Sequence, residues 1–229
     1  MTIRICVSIL PQNIPDSIRL IEKAEESHAD LIEIRLDCLE ACRDLADLAA
    51  YGNKPKIATV MPRSCQGKFS GNETERQQLL LNAAKSGFEY VDAELSTPKL
   101  KDFIHEVKQL GTKLIVSFHE FNNSLTPSEL NGVLEREILS GADVCKIVPT
   151  AKRIEDNLTL LQFTATACAK KRIVCFAMGE LGKVSRLLSP LFGGFFTFAA
   201  LERGSETASG QMTIQEMRNA YELLGLKRK

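Results

Sequence analysis

The chain has 229 residues, 44% of them hydrophobic and 25% charged, with 29 Lys and Arg balanced by 29 Asp and Glu. A chain this long buries one large core, its hydrophobic content argues against disorder, and its balanced charge argues against nucleic acid or another polyanionic partner. Apolar stretches such as Phe195 to Leu201 fall far short of the roughly 20 residues that cross a bilayer, so a soluble cytoplasmic protein with no membrane contact is expected.

Short runs rich in β-branched and apolar residues recur along the chain, with helical segments between them. The first, Ile3 to Ile9, is followed by a helix over Ser17 to Ser27 that Pro15-Asp16 opens. Asp30 to Leu36 and Lys56 to Val60 come next, then a helix over Arg76 to Lys85 preceded by the capping sequence Asn72 to Glu75. Tyr90 to Leu95 leads into a helix over Lys99 to Leu110, and Lys113 to Phe118 into one over Leu130 to Leu139, for which Thr126-Pro127-Ser128-Glu129 is a capping box. Val144 to Val148, Ile173 to Ala177 and Gly194 to Phe198 complete the runs, and Thr213 to Leu224 forms a closing helix. Gly87, Gly111 and Gly141 follow helix ends, where a left-handed cap is wanted.

Several runs are continuously apolar rather than alternating, which is what strands covered on both faces require. Eight such strands, each followed by a helix, describe a single (β/α)8 barrel over residues 1–229. A doubly wound open sheet usually carries a Gly-rich fingerprint after its first strand, and Ser8 to Asn13 has none. In a (β/α)8 barrel the carboxyl ends of the strands build the site. Here those ends hold Ser8, then Glu33, Arg35 and Asp37, then Arg63, then Asp92 and Glu94, then His119, Lys146 and Met178, with Arg186 and residues 205–211 in the last loops.

Lys146 is the most informative of these, because it interrupts the apolar run Ala142 to Val148, where an unpaired ammonium is expensive to bury. His119 ends the preceding run, so on neighbouring parallel strands the amine and the imidazole face a common site, the arrangement Schiff-base chemistry with a proton shuttle requires. A strand-end lysine reaching solvent beside a polar strand terminus fits these two segments equally well. The cysteines include no CxxC pair and read as small buried hydrophobes. Cys38 and Cys42 share helical spacing but have no histidine nearby, and no metal site is expected. His28 and His105 fall on helical segments as solvated side chains. Phe192, Phe195, Phe196 and Phe198 read as barrel packing, with Phe198 also near enough to the strand end to face a ligand.

Together these residues resemble the type I 3-dehydroquinate dehydratases along essentially the whole chain. The resemblance rests on Glu33-Ile34-Arg35-Leu36-Asp37, Arg63, Val116-Ser117-Phe118-His119, Gly141 to Ile147, Met178 to Arg186, and Ala208-Ser209-Gly210-Gln211. It implies a homodimeric hydro-lyase without a cofactor that converts 3-dehydroquinate to 3-dehydroshikimate in the shikimate pathway to chorismate and aromatic amino acids. Lys146 would form an imine with the substrate ketone, and His119 would remove the α-proton and then assist loss of the β-hydroxyl. Arg186 matches the residue that holds the substrate carboxylate; Ser8, Glu33, Arg35, Arg63, Thr207 and Gln211 match residues around the substrate. For Lys146 to attack at neutral pH its pKa has to fall from about 10.4 towards 7 or 8, a fall expected here from burial and neighbouring cations. Glu33 and Arg35 also suit a buried ion pair at the barrel mouth.

Two departures stand out. Many members carry Arg-x-x-x-Glu-Gly-Gly, whose glutamate orients the histidine, whereas this chain has Arg63-Ser64-Cys65-Gln66-Gly67, leaving charge support for His119 without an evident source. The last loop reads Thr207-Ala208-Ser209-Gly210-Gln211 in place of Ser-Ala-Pro-Gly-Gln, so a less rigid lid is expected. Other chemistries also fit parts of the pattern. A class I aldolase on a sugar phosphate would use the same lysine with a phosphate cradle among Gly179, Gly182, Gly193 and Gly194. A metal isomerase would use Glu33, Asp37, Asp92 and Glu94, although Arg35 would neutralise that site, and a non-catalytic binding barrel has no need of a buried lysine beside a histidine.

Overall fold

The continuously apolar runs become parallel strands that are buried along their length, save for an exposed residue at the start of the fifth and seventh and half-buried residues at the end of the fifth. A computed structural model describes residues 3–41 and 44–226. Its strands are β1 (Ile5–Ile9), β2 (Leu31–Arg35), β3 (Lys56–Thr59), β4 (Tyr90–Glu94), β5 (Lys113–Glu120), β6 (Val144–Pro149), β7 (Arg172–Cys175) and β8 (Thr197–Ala200). They form one 8-stranded sheet in the order β7-β6-β5-β4-β3-β2-β1-β8. The Phe195 N–H donates to the Ile173 carbonyl at 2.7 Å across the remaining gap, so the sheet is a nearly closed barrel.

The connecting helices are α1 (Ile14–Glu26), α2 (Leu45–Ala50), α3 (Glu73–Lys85), α4 (Leu100–Gln109), α5 (Pro127–Ser140), α6 (Asp156–Ala167), α7 (Lys183–Leu188) and α8 (Ile214–Leu223). Capping boxes start α3, α5 and α8, from Asn72 with Glu75, Thr126 with Glu129, and Thr213 with Glu216. The α1 helix begins ahead of Ser17 because the Asn13 side chain accepts the Asp16 N–H and fixes the first turn there. Gly87, Gly111 and Gly141 take positive φ of 97°, 80° and 100°, as their place after helix ends requires.

Two apolar clusters result from strand alternation. Strand residues such as Val7, Ile34 and Ile147 pack outward against helix residues such as Ile21, Leu80 and Leu130. Cys6, Leu31, Ile57, Tyr90, Ile115 and Val144 point inward and plug the barrel with Phe176 and Phe196. Two residues on, where each strand again points inward, stand Ser8, Glu33, Thr59, Asp92, Ser117 and Lys146, all buried. The lower layer of the barrel is therefore a hydrophobic floor, and the next layer a ring of polar and charged groups.

Some boundaries differ from the sequence reading. The last strand begins at Thr197 rather than Gly194, because Gly193 is left-handed with φ 93° and the Gly194 N–H turns back to the Ser189 carbonyl. Phe192 is 41% exposed and takes no part in barrel packing. His119 lies inside β5 rather than after it. Cys38 ends a 3-10 turn, Leu36–Cys38, so its helical pairing with Cys42 does not start from a helix; Cys42 lies outside the described residues. No helix among the described residues is long and apolar enough to cross a membrane.

Candidate active site

At the carboxyl ends of the strands lies a cavity of about 280 Å³, lined by residues that include Ser8, Glu33, Arg35, His119, Lys146 and Arg186. Register explains why these meet: Ser8 pairs with Glu33, and Ser117 with Lys146, so the polar ring is a row of strand neighbours.

Lys146 on β6 is buried in the cavity wall. Its Nζ donates to Asp92 Oδ2 at 2.8 Å, lies 3.9 Å from Glu33 Oε1, and sits 4.5 Å from the centre of the Phe198 ring. Burial opposes the ammonium, but the carboxylates of Asp92 and Glu33 outweigh it and raise the Lys146 pKa above its ordinary value. This corrects the expected fall: the charged neighbours of the amine among the described residues are carboxylates, not arginines. Burial likewise works against the Asp92 carboxylate, yet the Lys146 charge, its hydrogen bond and the Ser117 hydroxyl hold Asp92 below the usual range. Glu33 accepts from Ser8 Oγ at 2.5 Å and Thr59 Oγ1 at 2.9 Å.

His119 faces the same cavity from β5, and its ring stacks on Phe121 with centroids 5.9 Å apart. Its Nδ1 shares a 2.5 Å hydrogen bond with Glu94 Oε1, leaving Nε2 as the other ring nitrogen. Ser117 Oγ, between the two pairs, donates to Asp92 Oδ1 at 2.6 Å and stands 3.4 Å from Glu94 Oε1. Charge support for His119 therefore comes from Glu94 on β4. Gln66, in the loop, also lines the cavity, with a left-handed φ of 62°.

Arg35 is paired, but with Asp37 rather than Glu33. The guanidinium donates twice, at 2.8 and 2.7 Å, because the 3-10 turn after β2 folds Asp37 back onto it. Burial disfavours the charged form, but the Asp37 hydrogen bonds and charge hold Arg35 above its ordinary range. Asp37 also accepts the Lys68 N–H at 2.9 Å, tying the loop after β3 to the end of β2. Arg63, on the 3-10 turn Arg63–Cys65 in that loop, is exposed and outside the cavity lining.

Arg186 is the opposite case. The Ser185 N–H donates to Asn157 Oδ1 at 2.8 Å and the Ser185 hydroxyl accepts the Ala177 N–H at 3.0 Å, which seats α7 against β7. A Cβ on Gly182 would lie 2.6 Å from the Ala177 carbonyl, so only glycine permits that approach. The guanidinium that follows is 2% exposed and lies 4.3 Å from the Phe176 ring centre. Among the described residues it has one long hydrogen bond, 3.5 Å to the Ala177 carbonyl, and its Nε has no partner. No carboxylate among the described residues pairs with it, and burial alone pulls its pKa down to about 9, so it still carries its charge at neutral pH. A buried, unpaired fork of donors at a cavity wall is a site for an anion.

The last loop closes this side. The Thr207 N–H donates to Gln211 Oε1 at 2.7 Å and its hydroxyl at 3.2 Å, while the Gly179 N–H donates to the Ser209 carbonyl at 3.0 Å. Gly210, with φ 74°, packs where a Cβ would lie 2.1 Å from the Gly179 carbonyl. The segment without proline is thus pinned by its own hydrogen bonds and by glycine contact. Gly193 and Gly194, weighed above as a phosphate cradle, lie outside the cavity lining.

Except for Arg63, the cavity brings together the residues that the resemblance assigned to catalysis and substrate: Lys146, His119, Ser8, Glu33, Arg35, Arg186, Thr207 and Gln211. The sequence placed Asp92 and Glu94 at a strand end and weighed them as cation ligands, but gave neither them nor Ser117 a part beside Lys146 and His119. The signal was present, since two acidic residues of one parity inside the buried run Tyr90–Glu94 need cationic or hydrogen-bonding partners, and β5 and β6 supply them in His119 and Lys146.

The family model for Type I 3-dehydroquinase matches residues 5–228. A 3-dehydroquinate dehydratase from Dehalococcoides mccartyi is 40% identical over 84% of this chain and 85% of its own length. One from Coxiella burnetii is 32% identical over 96% of this chain and 93% of its own. The crystal structure of the 3-dehydroquinate dehydratase from Geobacillus kaustophilus superposes with a TM-score of 0.90 at 27% identity, covering 100% of this chain and 93% of that one.

Proposed function

This chain belongs to the type I 3-dehydroquinase family of hydro-lyases, and we propose that it dehydrates 3-dehydroquinate, a shikimate-pathway step, through an imine on Lys146 with His119 as the proton-transferring group. The observation that carries the reading is a buried amine and an imidazole on adjacent strands, facing one cavity with an unpaired guanidinium in its wall.

Arg186 takes the substrate carboxylate, which supplies the anion its environment lacks. Ser8, Glu33, Arg35, Thr207 and Gln211 offer hydrogen-bonding groups to the substrate hydroxyls around the cavity. The Lys146 ammonium gives a proton to Asp92, and the free amine attacks the ketone carbon. The carbonyl oxygen then leaves as water, carrying two of the three original amine protons, and the iminium keeps the third with its positive charge. That iminium is an electron sink, so Nε2 of His119 removes the α-proton as the electrons move to nitrogen. The imidazolium returns its proton to the β-hydroxyl, which departs as water, and hydrolysis of the conjugated iminium releases the enone and restores Lys146. The raised pKa of Lys146 means the amine has to be freed of a proton before attack, and Asp92, its counter-ion at rest, is the nearest acceptor for that proton.

Homodimer formation belongs to the same reading. Ile154, Leu158 and Leu181 are 51%, 61% and 45% exposed on neighbouring segments, and sedimentation tests whether such a surface pairs. For the reaction, purified protein mixed with 3-dehydroquinate is expected to develop the ultraviolet absorption of a conjugated enone. His119→Asn is expected to slow this roughly 10³-fold while leaving imine formation intact. No enone from the parent protein would reject the reading.

A further inference from the structure

We propose that Glu94 is the positioning residue for His119, and that it supplies from the barrel wall the carboxylate that the loop after β3 does not. The proposal rests on the reading of His119 as the proton-transferring group. In this chain the loop carries Gln66, an amide, with Gly67 four residues after Arg63, and neither can offer His119 a negative charge. Glu94 does so at 2.5 Å, and it is itself 8% exposed at the end of β4. Bonding at Nδ1 fixes the ring plane and directs Nε2 to the ligand, and the carboxylate stabilises the imidazolium formed when the α-proton is taken.

A second contact makes this a device rather than a single pair. The Ser117 hydroxyl lies within reach of both Asp92 and Glu94, at 2.6 and 3.4 Å. Lys146, Asp92, Ser117, Glu94 and His119 thus form one unbroken polar chain across β4, β5 and β6. The register pairs Glu94 with Ser117 and Ser117 with Lys146, so these contacts are set by the strand ladder and not by a loop. When the α-proton moves, positive charge passes from the iminium nitrogen to the imidazole. The Asp92 carboxylate then loses its counter-charge while Glu94 gains one, and the Ser117 hydroxyl already bonded to Asp92 offsets that loss. Nucleophile and base are held in mutual register before any substrate arrives.

Glu94→Gln keeps the shape and removes the charge. Its kcat is expected to fall about 100-fold with KM within about twofold, while borohydride with 3-dehydroquinate still reduces the Lys146 imine at the parental rate. Glu94→Asp should recover part of the loss. Turnover within about threefold of the parent would overturn the proposal. So would equal loss of trapping and turnover, because it would mark Glu94 as merely structural. If the parent itself gives no adduct, the imine reading falls, and the kcat of Glu94→Gln still decides the role of Glu94. Should that variant fail to fold, Ser117→Ala is read the same way: about a 10-fold loss in kcat with trapping retained supports the chain, and unchanged kcat overturns it.

Discussion

Lys146 and Arg186 are both buried cations in one cavity wall, and the fold treats them in opposite ways. Lys146, on the β4–β6 side, is compensated by Asp92 and Glu33 and rests in a completed network. Arg186, on the β7–β8 side, is compensated by no charged group among the described residues, and its Nε finds no hydrogen-bond partner among them. The first arrangement is one for doing chemistry repeatedly from a defined state. The second stores unfavourable desolvation that an arriving carboxylate relieves, so binding strength is built into the empty site.

The sharpest way to break this comparison is to remove each cation in turn. Lys146→Met should lose roughly 10⁴-fold or more in kcat. It should also destabilise the fold by about 3–5 kcal/mol in urea, because it leaves Asp92 buried without its partner. Arg186→Met should raise KM by roughly 10²–10³-fold, the worth of a bidentate charged contact. Its fold, by contrast, should gain about 1–3 kcal/mol, since an unpaired buried charge is removed. If both variants shift the urea midpoint in the same direction, the distinction between compensated and uncompensated cations is wrong.

A smaller effect extends the comparison to the outer face of β6. Glu137 on α5 is wholly buried against Cys145 and the Lys146 backbone, and burial pushes its pKa well above the usual carboxylate value. The folded state therefore holds a proton that the unfolded chain releases, and stability falls as pH rises above the ordinary carboxylate range near 4.3. Glu137→Gln should be more stable than the parent by about 1–2 kcal/mol at pH 8, with the difference closing near pH 4. Parallel stability curves across that range would contradict the assignment.

Much of this was legible in the sequence, for reasons that particular residues make clear. Strands buried on both faces must be apolar, so a lysine inside Ala142 to Val148 announces itself, and the histidine one strand earlier gives it meaning. The eight-stranded barrel follows from the same runs. What was lost depends on turns and register. Glu33 and Arg35 suited a buried ion pair in the sequence, but a 3-10 turn brings Asp37 back to Arg35 instead. Arg63 sits one residue beyond Pro62 on a turn that carries it outward, which a motif match does not reveal. Glu94 acquires its role only when β4 and β5 are placed in register, and Ser117 only when β6 is added.

The most direct test is borohydride reduction of the parent protein in the presence of 3-dehydroquinate, followed by peptide mass spectrometry. A single reduced adduct on the peptide containing Lys146, together with loss of activity in proportion to labelling, is the expected result. Full turnover with no adduct, or an adduct on a different lysine, would contradict the account.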